Sequence, residues 1–429
     1  TPFDNVYFDS GSFDTTDIDI DIDADAYCHD ISCDLLPYSI ELDLDKDLYI
    51  SGSLDLKPGF NFNGDNTVYF DSDSTNEKID FGGNKTFGKF KMVLNGNSVW
   101  GLEDSISMEY TSSSYYRYID IQQGTLNTNG HKIVTGKIIT GSDGAVNIKN
   151  SSIYLDGYIQ AAWDMHSSGT LISADSSVIY LTHEGTAYST MFFGGSQHYN
   201  KINFNQHCDI KGDFQVDTLV FNAGHTLGIA KYSYPTISDS LLIKGSDCGQ
   251  FTRIVGDGGV AELNITKPHE LNYIIIEDLE YSGSATITLN NSFVLDDSVS
   301  TGWNYISPAA QDLYWTGGDG DWDDGNNWSD MSGGAATGCV PTPYDNIHFD
   351  TNSFDTTDID IDIDADAFCH DLICDSLPYS IELALNNDLY ISGSLDLKSG
   401  FNFNGNNIVY FNSDSTNEKI DFGGNKTFG

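Results

Sequence analysis

Basic residues are scarce in this 429-residue chain. It has 19 Lys+Arg against 64 Asp+Glu, which gives a formal net charge of −45, and its only arginines are Arg117 and Arg253. Such a chain repels nucleic-acid phosphates and anionic membrane surfaces, and it attracts divalent cations. The composition therefore predicts no nucleic-acid partner. We expect no required cofactor. The one ion that the negative charge favours as a cofactor is Ca²⁺.

Long apolar runs are absent as well. No stretch approaches the roughly 20 residues that a helix needs to cross a bilayer, so we expect no direct membrane insertion. A signal peptide is also missing, but residue 1 already lies inside a repeated pattern. We therefore expect a segment of a longer protein, for which the missing signal says nothing about secretion. With 39% hydrophobic residues, the chain can still bury a large core, which excludes a disordered acidic tail.

Recognisable catalytic motifs are also absent. The sequence has no Gly-x-Ser-x-Gly, His-Glu-x-x-His or phosphate-loop motif, each of which would mark a specific chemistry. Because 64 acidic side chains are present, a pair of neighbouring carboxylates carries no information about catalysis. We expect a protein that is not an enzyme. The alternative is a polysaccharide-binding or polysaccharide-cleaving β-helix protein, since that fold hosts such enzymes.

The main positive feature is a long internal repeat. Residues 1–88 align without a gap on residues 342–429, with 72 identical positions. This predicts a first repeat over residues 1–312, a joint over 313–341 and the start of the next repeat over 342–429. Tandem copies supply length or many identical sites. The expected partners are therefore neighbouring repeats of the same chain, head to tail.

Short alternating runs fill the period. Stretches such as "DLYISGSLDL" and "SATITLNNSFVLDD" alternate apolar and polar residues and end at Gly, Asn, Asp or Ser, as β-strands between turns do. A new run starts about every ten residues, and no long stretch keeps the helical period. The texture predicts an all-β fold, a right-handed parallel β-helix with three short strands per turn. Tandem β-sandwiches are the alternative, but no sub-period of about 100 residues is visible.

One segment, Tyr314–Phe354, breaks this texture. It is rich in Gly and Asn and contains Trp315, Trp322 and Trp328. The open end of a solenoid exposes strand edges and core, and these must be covered. The segment therefore predicts a loop-built joint whose tryptophan rings pack over an open solenoid end.

The stretch "TTDIDIDIDADA" occurs at Thr15–Ala26 and again at Thr356–Ala367, and we name it the acidic comb. Its strict alternation predicts a strand with isoleucines inside and aspartates outside. One interpretation is a solvated face whose dense charge keeps an edge strand from pairing with other chains. The other is a Ca²⁺ ladder shared by carboxylates on neighbouring turns. Its ligands would be Asp17, Asp19, Asp21, Asp23 and Asp25.

A second candidate calcium site lies in the joint. The run "DGDWDDGNN" crowds carboxylate and amide oxygens into one short loop, which is typical of oxygen-rich calcium loops. It lacks the closing glutamate of an EF-hand. The candidate ligands are Asp319, Asp321, Asp323, Asp324 and Asn326.

Cysteines form a further repeated feature. Of the seven present, Cys28 and Cys33 recur as Cys369 and Cys374, which indicates a structural role. Disulfides are the default interpretation in an extracellular protein, and we expect at least one among these four, with Cys339 as a further partner across the joint. A zinc site from Cys28, His29 and Cys33 is the alternative. The disulfide candidates are Cys28, Cys33, Cys339, Cys369 and Cys374.

The order of motifs resembles a known class of repeats. The chain reads W-x-G-G-x-G-x-W from Trp315, then "NW", then "VPTPYDNIHFDTNSF" from Val340, a Cys, "LYISGSLDL" and, in the first copy, "GTLNTNG". This resembles the long repeats of giant secreted cell-surface proteins of Bacteroidota, cargo of the type IX secretion system that includes gliding-motility adhesins of the SprB type. The resemblance covers most of Trp315–Phe354 and residues 1 to about 140. It departs in one respect, because two cysteines follow "NSF" where one is typical.

The resemblance also implies a function and a location. It implies a structural segment of a giant repetitive fibre, an adhesin or a motility or surface filament, at the extracellular cell surface. Surface glycans or other fibre copies would be its further partners. Proteins of this phylum carry O-glycans on Ser or Thr after Asp, which implies glycans at Thr15, Ser105, Thr218, Ser240, Ser298 and Thr356.

Overall fold

The structure, a computed structural model, confirms a parallel β-solenoid. It is nearly all β, with about 17 stacked turns. The structure describes residues 1–13, 17–35, 39–83, 85–86, 90–108, 117–157, 161–165, 169–183, 190–256, 261–295, 300–353, 358–375, 380–413 and 415–424. Within these ranges the one helical element is the 3₁₀ turn Gly325–Asn327, and no helix is long and apolar enough to span a membrane.

The strands of the first solenoid stack into three parallel columns. Column 1 contains Asp17–Ile22, Ser39–Leu44, Phe60–Gly64, Lys85–Thr86, Ile106–Met108, Ile133–Thr135, Ser152–Leu155, Val178–Leu181, His198–Phe204, Gln215–Asn222, Thr236–Lys244, Glu262–Ile265 and Glu280–Tyr281. Column 2 contains Ala26–Cys28, Leu48–Ile50, Thr67–Phe70, Lys91–Leu94, Tyr118–Asn127, Lys137–Asn147, Ala161–Asp164, Thr190–Phe193, Cys208–Lys211, Thr226–Ile229, Thr252–Gly256, Ile274–Glu277 and Phe293–Leu295. Column 3 contains Val6–Phe8, Ile31–Cys33, Leu54–Asp55, Glu77–Asp80, Val99–Leu102, the second halves of Tyr118–Asn127 and Lys137–Asn147, and Thr170–Ser173. In the last turns a separate parallel sheet contains His269–Asn272, Ile287–Asn290 and Asn304–Ile306, and it begins beside the second half of Thr236–Lys244.

The second solenoid repeats this arrangement. Column 1 contains Gly320–Asp321, Asp358–Ile363, Ser380–Leu385 and Phe401–Gly405. Column 2 contains Ala367–Cys369, Leu389–Ile391 and Val409–Phe411. Column 3 contains Trp328–Ser329, Asp312–Trp315, Asn346–Phe349, Leu372–Cys374, Leu395–Asp396 and Ile420–Asp421. The sheets of the two solenoids are separate.

Apolar residues meet in register from turn to turn and form the core. Ile153, for example, pairs with Ile133 on one side and with Ile179 on the other, and all three are 0% exposed. Burying such side chains removes apolar surface from water, which is the main stabilising contribution of each turn. Among the described strands, the one antiparallel pair joins Asp312–Trp315 to Trp328–Ser329. The alternative of tandem β-sandwiches, which are built from antiparallel sheets, is therefore excluded.

Three tryptophans of the joint cover the start of the second solenoid. Trp315, Trp322 and Trp328 are almost fully buried, and each ring centroid lies 6.3 or 6.4 Å from that of Phe349. Trp328 stands edge-on to the other two at 5.0 and 4.9 Å. Its indole N–H donates to the carbonyl oxygen of Trp322 at 2.8 Å. We name these three rings the tryptophan lid.

The two copies of the repeat show what the lid does. Phe349 and Ile361 in the second copy are 1% and 0% exposed, whereas their equivalents Phe8 and Ile20 in the first copy are half-buried. In the second copy the lid packs on Phe349, and the short strand Gly320–Asp321 pairs with the comb strand. Since the two copies are nearly identical in sequence, the joint rather than the repeat completes this burial.

The two solenoids meet flank to flank. Phe368 lies on the outer side of column 2 in the second solenoid, because its neighbours Ala367 and Cys369 belong to that solenoid's core. Its ring lies 5.3 Å from that of Phe293, on the last column 2 strand of the first solenoid. The second solenoid is therefore a separately closed unit that docks on the side of the first.

We predict that Trp328→Ala loosens the second solenoid alone. Removing a fully buried tryptophan costs about 3–5 kcal/mol, and the loss should be local because the lid contacts only one core. Native-state hydrogen exchange should show faster exchange at Asn346–Phe349 and unchanged exchange at Ser152–Leu155. The control is Trp303→Ala, which removes a half-buried ring from the last turn of the first solenoid and should leave Asn346–Phe349 protected. Equal loosening of both solenoids would contradict the prediction.

Candidate functional site

The joint between the solenoids is the most elaborate part of the molecule. A disulfide joins Cys248, in a loop of the first solenoid, to Cys339, at the end of the joint segment. Next to it, the backbone N–H of Val340 donates to the carbonyl oxygen of Cys248 at 2.9 Å. A covalent bond between positions 91 residues apart removes much chain entropy from the unfolded state. The joint is therefore fastened covalently as well as by packing.

This bond corrects the expected cysteine pairing. Cys339 bonds to Cys248, and the four repeated cysteines, Cys28, Cys33, Cys369 and Cys374, are unpaired and buried. The reason is geometric: these four end short strands and point into the cores, whereas the loops that carry the bonded pair meet at the surface of the joint. No spacing in the sequence indicates Cys248 as the partner, since it lies 91 residues before Cys339.

The buried thiols are also poor nucleophiles and poor ligands. Burial raises the pKa of Cys28 to about 11 and that of Cys374 to about 12, so little thiolate exists near neutral pH. The zinc alternative finds no support in the geometry, since Cys28 and Cys33 face the core while the imidazole of His29 lies 3.1 Å from the carboxylate of Asp30. In the part of the chain that the structure describes, no group of three or more His, Cys, Asp or Glu could hold a metal ion.

Arg253 links the two solenoids electrostatically. Its guanidinium donates to Glu277 on the next turn of the same solenoid and, at 2.9 Å, to Asp366 on the second solenoid. Burial opposes the charge, but the two carboxylates outweigh burial and raise the pKa of Arg253. Breaking one partner of such a half-buried pair leaves a charge uncompensated. The contact therefore favours one defined arrangement of the two flanks.

Aromatic rings surround this ion pair. Phe293 contacts Phe368 at 5.3 Å, Phe251 at 5.6 Å and Tyr344 at 6.5 Å. Phe293 and Phe368 are 2% and 5% exposed, as is Ile275 at 5%. These residues form a small core of their own between the solenoids. Neither the aromatic cluster nor Arg253 was singled out from the sequence as a site, although the chain has only two arginines.

A groove of about 460 Å³ runs along this contact. His207 and His225 line it with their rings 5.0 Å apart. Nδ1 of His207 accepts a hydrogen bond from the backbone N–H of Thr226 at 2.9 Å. Burial lowers the pKa of both imidazoles, so both are neutral near pH 7.

Two carboxylates of the acidic loop in the joint accept hydrogen bonds from backbone N–H groups. The Asp324 carboxylate caps the 3₁₀ turn Gly325–Asn327 by accepting from the backbone N–H of Asn326 at 2.9 Å. The Asp319 carboxylate accepts from the backbone N–H of Asp360 in the second comb at 3.0 Å. Burial raises the pKa of Asp323. The loop thus brings Asp319 and Asp321 against the comb of the next repeat, and Ca²⁺ binding here stays a prediction.

The comb aspartates of the first copy face outward. Asp19, Asp21, Asp23 and Asp25 are exposed, and the isoleucines between them are half-buried. The side chain of Asp17 lies outside the described residues. On one strand face these carboxylates repel each other only weakly because water and salt screen them.

Of the carboxylate pairs that a calcium ladder along the comb would use, the two copies share one and differ in another. In the first copy Asp21 pairs with Asp43 on the next turn, and burial, followed by neighbouring carboxylates, raises the pKa of Asp43. In the second copy Asp362 pairs with Ala384, and the amide of Asn386 donates to Asp362 at 3.3 Å. The Asp21–Asp43 pair is therefore not kept, whereas the Asp19–Glu41 pair recurs as Asp360–Glu382. Calcium binding along the comb likewise stays a prediction.

Asp345 fixes the joint segment to the second solenoid. Its buried carboxylate accepts hydrogen bonds from the backbone N–H of Gln311 at 2.9 Å and from the backbone N–H and hydroxyl of Thr342 at 2.8 and 2.6 Å. Burial raises the pKa of Asp345, and these hydrogen bonds oppose the rise. The equivalent in the first copy, Asp4, is largely exposed and bonds to Thr1.

The proposed glycan acceptors lie on the surface of the first solenoid where the structure describes them. Ser105 is exposed, and Thr218 and Ser240 are half-buried neighbours, paired in register on adjacent turns. The other three candidates, Thr15, Ser298 and Thr356, lie outside the described residues. Modification of these hydroxyls stays a prediction.

We predict that Asp345→Ala destabilises the second solenoid by about 2–4 kcal/mol, because it leaves buried N–H groups without an acceptor. The measurement is the free energy of local unfolding by hydrogen exchange at Asn346–Phe349. The matched control is Asp4→Ala, an exposed site in the same sequence context, which should leave stability nearly unchanged. Similar effects of the two substitutions would contradict the role of Asp345.

We also predict the cysteine map. Mass spectrometry of the unreduced protein should find one cross-linked peptide pair, Cys248 with Cys339. Cys28 and Cys374 should react with iodoacetamide only after denaturation, because burial suppresses both access and thiolate formation. A cross-link between any two of the four repeated cysteines, or their rapid alkylation in the native protein, would show the map to be wrong.

Comparison with protein-family models, with curated proteins and with solved structures finds no match to this chain. Its assignment therefore rests on its own geometry. That geometry is a β-solenoid built from repeats, with a closed and cross-linked joint. Such a fold is consistent with a structural or surface protein.

Proposed function

We propose that this chain is a structural segment of a long, repetitive extracellular fibre at the cell surface, which serves as an adhesin or as a motility or surface filament. The observation that carries the proposal is the joint. The second copy of the repeat starts with its own tryptophan lid and is fastened to the preceding repeat by the Cys248–Cys339 disulfide and the Arg253–Asp366 ion pair. A repeat whose first turn is covered by its own lid, and which binds the preceding repeat, can be copied many times in tandem.

Three features support an extracellular position. The disulfide suits an oxidising compartment. The net charge of −45 keeps a long array soluble and separated from anionic surfaces. The repeat motifs resemble those of secreted surface proteins of Bacteroidota, which reach the surface through the type IX system.

Adhesion would follow from multiplicity rather than from a deep pocket. Many identical weak sites along one fibre bind a surface far more tightly than one site does. Surface glycans and other fibre copies are the partners that we propose.

The array predicts a measurable axial repeat. The first solenoid has 13 strands in column 1, and at about 4.8 Å per turn it extends about 60 Å. Electron micrographs of the native fibre, labelled with an antibody against residues 313–341, should show regular label at intervals of no more than about 65 Å along the fibre. A compact particle without periodic label, or label confined to the cell interior, would overturn the proposal.

Adhesion is tested separately on intact cells. Fab fragments against residues 313–341 should reduce attachment to glycan-coated surfaces, and Fab fragments against an unrelated surface protein should not. Unchanged attachment would mean that the chain acts as a spacer and has no adhesive function. Measured turnover of an acidic polysaccharide would instead favour the enzyme alternative.

A further inference from the structure

The disulfide of the joint encloses a defined part of the chain. It joins Cys248 to Cys339, so residues 249–338 form a covalently closed loop, which we name the closed segment. The closed segment contains the last column 2 strands of the first solenoid, from Thr252–Gly256 to Phe293–Leu295, and also the three rings of the tryptophan lid. It therefore holds the end of one solenoid together with the cover of the next.

The chain crosses itself closely at this bond. The Cα atoms of the two cysteines are 4.6 Å apart, and the backbone N–H of Val340 donates to the carbonyl oxygen of Cys248 at 2.9 Å. On the loop side the two cysteines are flanked by Gly249 and Gly338. A Cβ atom at Gly249 would lie 2.4 Å from the carbonyl oxygen of Gly338, so only glycine allows the two backbones to approach this closely. The residues that enter and leave the closed segment thus lie side by side.

This crossing decides how tension passes through the chain. When the two chain ends are pulled apart, force enters the bond at Cys248 and leaves it at Cys339. The bond and the closed segment connect the same two points in parallel. Extended, the 91 residue spacings of the closed segment would span about 300 Å, but the bond holds their ends 4.6 Å apart. The closed segment therefore bears no tension while the bond is intact.

Outside the closed segment, tension separates the turns one after another. Each turn of a solenoid contacts only its neighbours, so a pulled solenoid unzips from the turn on which the force acts. On one side, unzipping ends at Thr236–Lys244, the last strand before Cys248. On the other side, it ends at Asn346–Phe349, the first strand after Cys339. Both sides stop at the closed segment.

The closed segment contains the pairing partners of both of these strands. Glu262–Ile265 pairs with Thr236–Lys244, and Asp312–Trp315 pairs with Asn346–Phe349. The closed segment also has inward side chains for a core, because Ile254, Leu263, Ile276 and Leu289 are at most 1% exposed. It therefore offers a folded surface to the turns on either side.

We propose that the Cys248–Cys339 disulfide makes the closed segment an unloaded folding nucleus. This nucleus stays folded while the neighbouring turns are pulled apart, and they restack on it when the tension is released. A first turn must be ordered without a neighbour, whereas later turns add to one that is already in place. A nucleus that survives extension removes this slow step from refolding.

The inference rests on the fibre proposed above for its biological use, because a surface fibre that holds or moves a cell is pulled along its length. The mechanical behaviour itself is a property of the isolated chain. It can therefore be measured on the chain alone.

The first test measures length. The full chain is stretched in optical tweezers with one handle at each end, and the contour length of the completely extended molecule is recorded. The wild type should be about 300 Å shorter than the variant with Cys248→Ser and Cys339→Ser, because the closed segment does not extend. Equal lengths would show that residues 249–338 bear tension, and this would overturn the inference.

The second test measures recovery after release. After full extension and a brief return to zero force, a second pull should again release about 300 Å of contour length from residues 340–429. The wild type should recover this step several times more often than the double variant, which has to form its first turn anew. Equal recovery would overturn the nucleus even where the two lengths differ.

A matched control separates the bond from the loss of a cysteine. Cys208 is a buried free cysteine outside the closed segment, so Cys208→Ala should keep the wild-type length and recovery. A longer Cys208→Ala chain would overturn the inference. If hydrogen exchange at Ser152–Leu155 shows that the double variant does not fold, the wild type with and without tris(2-carboxyethyl)phosphine replaces it, with the same expected outcomes.

The result is separable from the test of the fibre. Failure here together with a regular axial repeat in micrographs would refute the nucleus and leave the fibre intact. Success here without a periodic fibre would support the nucleus and refute the fibre.

Discussion

No turn of this solenoid has a core of its own. Each turn contributes a few short strands whose inward side chains and backbone groups are satisfied by the turns above and below it. The interior is therefore stable wherever further turns follow, whereas the first and last turns leave core side chains and strand edges exposed. A near-identical strand is buried or half-buried depending only on whether something covers it, as Ile361 and Ile20 show. The joint exists to meet this constraint.

The joint meets it with several independent contacts of different range. The tryptophan lid supplies apolar cover, and Asp345 holds the strand before the lid to the strand after it. The disulfide limits how far the solenoids can separate, and Arg253 selects which flank faces which. In a chain with so few cations, the other arginine is also paired, within the first solenoid: Arg117 is 2% exposed and bonds both oxygens of Asp156 at 2.7 and 2.8 Å. Removing one partner of such a pair would leave the other charge uncompensated.

The acidic comb fits the same constraint. Its isoleucines join the core, and in the second copy the short strand Gly320–Asp321 of the joint pairs with the comb strand, so that this strand is not left as an edge. The next turn changes in part, since Asp43 in one copy is Ala384 in the other, whereas Glu41 recurs as Glu382. Both copies therefore keep the alternation and charge of the first strand, together with one carboxylate opposite it.

Periodicity alone was enough to predict the class of fold. Alternating runs about ten residues apart, bounded by turn residues, indicate stacked strands because side-chain direction alternates along every strand. The offset of the two copies likewise predicted where the texture breaks, and the tryptophans there predicted a cover for a solenoid end. These features are local, and local patterns are what a sequence displays directly.

Contacts between distant segments were decided by the tertiary structure. Cys339 could pair with any of several cysteines until the fold placed Cys248 beside it, because disulfide formation depends on distance between loops rather than on spacing in the chain. Arg253 and Phe293 carried no sequence signal, since they lie on ordinary strands and gain their role only from the flank that docks on them. The acidic loop showed the reverse: its composition suggested a metal site, and the fold uses Asp319 and Asp324 to bind backbone N–H groups. Composition lists the groups that are available, but only the packing of the chain decides which of them meet.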